Sequence, residues 1–151
     1  MSQERNIPYI AGPPVEQPHR FFGRQEIFEQ IIDEFKYKTH TAIALYGPRR
    51  IGKTSILKQI PERLGSQYCT IQFDCQSYAN KPLHQIIQSL INTMARAARM
   101  KHEYSIENHG YAIINLFRER FLPEFYAALG PERHPVLLID EFDLLDTPAA
   151  P

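Results

Sequence analysis

Apolar residues recur at three- and four-residue spacing over residues 24–36, where Ile27, Phe28, Ile31, Ile32 and Phe35 share one face. That period predicts an amphipathic helix, entered through the aromatic anchor and turn Phe21-Phe22-Gly23. Thr41–Tyr46 (TAIALY) is a short apolar run with β-branched residues, stopped by Gly47-Pro48, and predicts a buried strand. A second helix is expected from Lys53 to Leu64, before Gly65, with Pro61 making its last turn suspect. Tyr68–Asp74 (YCTIQFD) reads as the next strand. Asn80 can cap a long helix that tolerates Pro82 in its first turn and lines one face with Leu83, Ile86, Ile87, Leu90, Ile91 and Met94. Lys101–His109 is polar and reads as a loop. Tyr111–Leu129 returns to helix, kinked or split at Pro123 and capped by Gly130. Val136–Asp140 (VLLID) is apolar until its final acid, the pattern of a parallel strand buried on both faces. Helices and strands therefore alternate, which implies an α/β layer fold with a parallel sheet and no internal repeat.

The ends differ from this core. Pro8, Pro13, Pro14 and Pro18 prevent regular structure over residues 1–20, yet Ile7, Tyr9, Ile10 and Val15 are too apolar for a free tail. An extended arm along the domain surface is expected, with a disordered leader as the alternative. Residues 147–151 (TPAAP) resemble a linker, which leaves 21–146 as the core.

Composition narrows the class. The chain has 151 residues, about one domain, with 43% hydrophobic and 23% charged residues, as globular proteins have. Seventeen basic and seventeen acidic side chains give a net charge of zero, which argues against a nucleic-acid coat or a polybasic membrane patch. Only Cys69 and Cys75 are present, with no His or Cys cluster around them, so neither a disulfide framework nor structural zinc is expected. Met1–Asn6 is polar and no apolar run is long enough to cross a bilayer. The default reading is a reduced, cytoplasmic protein.

The strongest chemical signal is Gly47-Pro48-Arg49-Arg50-Ile51-Gly52-Lys53-Thr54, which matches G-x-x-x-x-G-K-[ST], the Walker A phosphate loop. Ordinary residue frequencies give such a match by chance in roughly half a percent of chains this long. The mechanism also requires a strand before the loop and a helix after it, as the pattern predicts. Glycines let successive backbone N–H groups turn inward on an anion, and the following helix adds its N-terminal donors and dipole. Lys53 would charge-pair with the β- and γ-phosphates, and the Thr54 hydroxyl can ligate Mg²⁺. Arg49 and Arg50 read as solvated loop charges, with anion attraction or a transition-state arginine acting in trans as alternatives.

Asp140 and Glu141 follow four apolar residues, as in a Walker B strand. Asp140 would hold the Mg²⁺ shell through water, and Glu141 would polarise the attacking water as general base. Asp143 and Asp146 read as cap or surface charges. Asp74 either caps the next turn, the favoured reading, or faces a nucleotide crevice beyond the strand ends. The six histidines lack ligand spacing, and both cysteines read as buried packing.

Four stretches in this order carry a family resemblance: Pro8-Tyr9-Ile10-Ala11-Gly12-Pro13-Pro14-Val15; Phe21-Phe22-Gly23-Arg24; Leu45-Tyr46 running through the phosphate loop to Ser55-Ile56-Leu57; and Ile139-Asp140-Glu141-Phe142-Asp143. They resemble the bacterial STAND-type NTPases, AAA+-like P-loop ATPases related to archaeal ATPases and origin-recognition-like AAA modules. The resemblance spans nearly the whole chain. It implies a three-layer P-loop sandwich with a parallel sheet, ATP and Mg²⁺ as ligands, and Phe22, Gly23 and Arg24 near the adenine. Ser55 would join the loop's nucleotide contacts. It further implies a nucleotide-controlled signalling switch that self-assembles or works through downstream domains. In the family the sensor-1 strand lies between the two motif strands, and a winged-helix lid follows. Neither is present after Walker B, so the fold is expected to be incomplete and the chain a truncated module. Either the motif strands pair directly, or both leave edge donors and apolar faces open.

The expected function is an Mg-ATP-binding ATPase module that hydrolyses ATP in its full-length or assembled form. The alternative is a non-catalytic, nucleotide-dependent interaction module or an inert fragment. An origin-recognition-like DNA-binding ATPase is disfavoured by the neutral charge, and a small-molecule kinase by the lack of an acceptor lid. No guanine-reading N-K-x-D segment occurs, which agrees with adenine.

Overall fold

The computed structural model describes residues 25–37, 42–48, 50–101, 104 and 110–146. The N-terminal arm, the Phe22-Gly23-Arg24 box, Arg49 and the 147–151 tail lie outside them. The chain divides between Leu64 and Gly65 into two compact units.

The first unit holds two helices, α1 (Gln25–Tyr37) and α2 (Lys53–Leu64), within a residue of their expected bounds. They pack on each other. Phe28 of α1 is buried, and the Arg63 guanidinium of α2 lies 4.1 Å from its ring centroid, a cation–π contact. Ile56, Ile60 and Leu64 recur along the buried side of α2. Pro61 does not end α2, which runs on to Leu64. The loss of one ladder donor is tolerated near the helix end, where few carbonyls remain to be paired. The strand expected at 41–46 is a correction. Residues 42–48 carry no regular structure, with Ile43 at 38% and Tyr46 at 85% exposure. A strand exists only through its ladder, and among the described residues nothing pairs with this run.

The second unit holds the sheet. Strands β1 (Tyr68–Asp74) and β2 (His134–Asp140) pair in parallel, with Ile71 opposite Leu137 and Asp74 opposite Asp140. Between them run a 3-10 turn at Cys75–Tyr78, α3 (Leu83–Ala97), α4 (Gly110–Asn115), a π-helical turn at Leu116–Phe121, and α5 (Leu122–Leu129). A further 3-10 turn, Phe142–Asp146, follows β2. Asn80 is not the cap of α3. Pro82 holds that position without a side-chain bond, and Asn80 sits in a turn at φ 64°. Pro123 does split the long helix, and the π turn is the form the break takes. Leu122 N donates to Phe117 O, five residues back, just before the residue that has no N–H to offer. Gly130 ends α5 at φ 76°.

One core fills this unit. Cys69 and Ile71 of β1 meet Ile91, Met94 and Ala95 of α3 and Phe121, Phe125 and Leu129 of the last helical stretch. The Phe121 ring is fully buried, stacked with Phe117 at 5.6 Å and Phe125 at 5.7 Å, and met edge-on by Tyr104 at 5.1 Å. Tyr104 pins the connection between α3 and α4. Its hydroxyl donates to Glu124, and its carbonyl accepts from Gln88 Nε2. Burial, then the bond to Glu124, push the phenol up to about 12.

β2 corrects a second expectation. Val136 and Leu138 are buried, but Leu137 and Ile139 on the opposite face are 39% and 41% exposed. The helical layer packs over β1. The β2 positions beside it are covered only in part. Among the described residues β2 pairs with β1. Pro135 is tolerated because it lies next to the start of a strand with one hydrogen-bonded neighbour among the described residues.

Candidate functional site

The phosphate loop is built on the start of α2. The ladder of α2 begins where Ile56 N donates to Gly52 O, at 3.0 Å. The amides of Lys53 and Thr54 therefore lie ahead of the ladder, where an anion-binding helix start needs them. Gly52 has φ 94°, a conformation that side-chain-bearing residues rarely adopt. At Gly47 a Cβ would lie 3.1 Å from Ile51 Cγ2, a tight contact that glycine avoids. A turn closes the loop, with Ile51 N donating to Pro48 O at 3.4 Å and Arg50 at φ 64° inside it. Lys53 completes the ring. Its Nζ donates to Gly47 O at 2.8 Å and Pro48 O at 3.2 Å, so the ammonium spans the mouth of the loop. Ile51 is partly exposed, Thr54 is half-buried and Ser55 is buried. Gly47, Pro48 and Arg50–Ser55 are thus brought together in one turn at the start of α2.

The acidic centre belongs to the second unit. Asp140 is the last residue of β2, and its Oδ1 accepts the Glu141 amide at 3.0 Å. Glu141 takes φ 53°, so the chain turns sharply straight after the strand. The other oxygen of Asp140 makes no hydrogen bond among the described residues. Asp74 ends the neighbouring strand in register with Asp140, and its Oδ1 accepts Gln76 N at 2.9 Å. Asp74 thus does the cap's work that the sequence favoured.

Cys75, fully buried, lies beneath these acids. Burial pushes its thiol above the ordinary 9.0, and the carboxylates of Asp74, Asp140 and Asp143 add to the shift. The fold therefore holds the neutral thiol. The associated stability is intact below the unfolded thiol's pKa and is lost as pH rises toward the folded one. Cys69 and Cys75 are both buried and free, and both are expected to resist a thiol reagent at pH 8 until denaturant is added. Rapid labelling of Cys75 in the native chain would contradict this packing.

Thr54 and Asp140 offer hydroxyl and carboxylate oxygens, the hard donors that suit Mg²⁺. Among the described residues no group of three or more His, Cys, Asp or Glu side chains could hold a metal ion. Among the described residues no helix is long and apolar enough to cross a membrane.

The left-handed turns at Arg50 and Glu141 were not visible in the sequence, because neither residue type marks positive φ. The Asp74–Asp140 juxtaposition could have been found from the two strand ends, since parallel strands of equal length align their carboxyl ends.

Two comparisons relate the chain to known proteins. A family model described as an AAA ATPase domain matches residues 20–150. An uncharacterized ATP-binding protein of Pyrococcus abyssi (strain GE5 / Orsay) is 25% identical over 129 residues, covering 83% of this chain and 40% of that protein. The chain thus spans about two fifths of the length of this relative. No solved structure matches the chain significantly.

Proposed function

The chain belongs to the AAA ATPase domain family, and on that premise we propose that it is the Mg-ATP-binding module of a STAND-like signalling ATPase. The observation that carries this reading is the Lys53 ammonium bridging the Gly47 and Pro48 carbonyls at the start of α2. Glycine turns, helix-start donors and a cation converge there. The ATP-binding description of the archaeal relative supports the same ligand. Hydrolysis belongs to the assembled form.

In this mechanism the loop amides and Lys53 hold the β- and γ-phosphates. Asp140 and Thr54 would hold Mg²⁺, which when bound offsets charge on the phosphate oxygens. Glu141 accepts a proton from water as its oxygen bonds to the γ-phosphorus. The bond from that phosphorus to the bridging oxygen breaks, leaving ADP and inorganic phosphate. Asp140 Oδ1, by accepting the Glu141 amide, keeps the two acids in fixed succession.

Glu141→Gln tests the chemistry. It is expected to lower turnover by about 10²- to 10⁴-fold, the range for loss of a general base, with Mg-ATP binding retained. Turnover of the parent is measured over rising protein concentration, and a rate per chain that climbs marks assembly. Binding without turnover at any concentration would replace the ATPase reading with that of a nucleotide-dependent interaction module.

A further inference from the structure

The helical stretch from α4 to α5 keeps its apolar residues at a spacing that an unbroken α-helix does not hold on one side. Ile113, Phe117, Phe121, Phe125 and Leu129 recur every fourth residue. Ile113 is 2% exposed, Phe121 and Phe125 are fully buried, and Leu129 is buried with them. At 3.6 residues per turn each residue advances about 100° around the axis. Eight α-helical steps would leave Ile113 roughly 80° away from Phe121, whereas seven would set Ile114 about 20° from it. An uninterrupted α-helix therefore presents Ile114 to the side on which Phe121 is buried and turns Ile113 aside. The structure has the reverse, with Ile114 40% exposed.

The π turn accounts for the difference. Asn115, Phe121 and Leu122 keep right-handed helical dihedrals, so the helix is continuous through the turn. A π bond reaches five residues back instead of four, which takes up one residue and rotates everything before it. Pro123 favours this form. In the α register its ring would crowd the Glu119 carbonyl and offer that oxygen no N–H. The bond from Leu122 N to Phe117 O widens the chain just ahead of it. α4 has six residues, too few to persist alone, and it is held where it packs on α3.

We propose that the π turn is a two-register switch: the π register seats α4 through Ile113, and the α register seats it through Ile114. Adjacent isoleucines give both packings an equivalent apolar side chain, and Pro123 sets the bias toward the π form. Passing from one to the other turns α4 by about 100°. Helix register shifts of this kind run in microseconds to milliseconds. The switch lies within the second unit and does not depend on the nucleotide reading.

The test compares the full 151-residue chain with Pro123→Ala, both carrying isotope-labelled isoleucine methyls, in the presence of a soluble paramagnetic agent that broadens exposed resonances. In the parent, Ile114 should broaden several-fold more than Ile113. In Pro123→Ala that order should reverse. Melting gives a second reading. Ile113→Ala should lower the parent's midpoint by roughly 5–15 °C, and Ile114→Ala by no more than about 2 °C. In the Pro123→Ala background the larger loss should pass to Ile114→Ala. The same order of the two isoleucines in Pro123→Ala as in the parent overturns the inference. Equal broadening of the two in either chain overturns it as well, because α4 would then be seated through neither register.

Discussion

The Lys53→Ala chain is expected to melt at the same temperature with and without Mg-ATP, whereas the parent rises by several degrees. A ligand at a hundred times its dissociation constant adds about 2.7 kcal/mol to the state that binds it. For a chain of this size each kcal/mol moves the midpoint by about 2–4 °C, so the parent should shift by roughly 5–10 °C. Lys53 carries this effect twice over. It supplies the charge that meets the phosphates, and its two bonds to Gly47 O and Pro48 O close the loop that presents the amides. Those bonds are exposed, so their loss should lower the nucleotide-free melt by no more than about 1 kcal/mol. A differential-scanning melt of both chains decides the matter. An equal upward shift in the variant would move the binding site away from this loop.

The largest stability effect is expected from Phe121→Ala, at about 3–5 kcal/mol. The ring is fully buried and in contact with three other aromatic rings from both sides of the break in the helical stretch. Its removal strips the edge contact from Tyr104, and with it part of what holds the connection onto α5. Tyr126, on the same stretch, is 55% exposed, and Tyr126→Ala should stay within about 0.5 kcal/mol of the parent. Urea unfolding of the two variants separates a packed core from general intolerance to substitution. A Phe121→Ala midpoint as close to the parent as that of Tyr126→Ala would show that the aromatic stack is not what holds this unit together.

What the sequence made legible was local. α2 and β1 stand at their expected bounds because Gly65 separates a run of helical period from a run of β-branched and aromatic residues. The phosphate loop was legible because all its chemistry is contiguous, from Gly47 to Thr54. Thr41–Tyr46 failed because strand propensity is only a fit to a pleated surface that some other segment must supply. Leu137 and Ile139 look as buried as Val136 and Leu138 in the sequence, and only the unequal cover of the two faces of β2 separates them. The Tyr104–Glu124 bond joins residues twenty apart, and no periodicity announces it. Pro123 announced a break without revealing that the chain would widen into a π turn.

The pairing of Tyr68 with His134 joins residues 66 apart, and that separation governs how the second unit comes into being. The contacts among α3, α4 and α5 are far more local, so they can close before the sheet does. At about 5–20 residues per second of synthesis, β1 leaves the ribosome roughly 3–13 s before its partner exists. Throughout that interval YCTIQFD is an unpaired, β-prone segment with a single charge. Early shelter for Ile71 must come from α3, which makes that helix the nascent chain's own safeguard against aggregation.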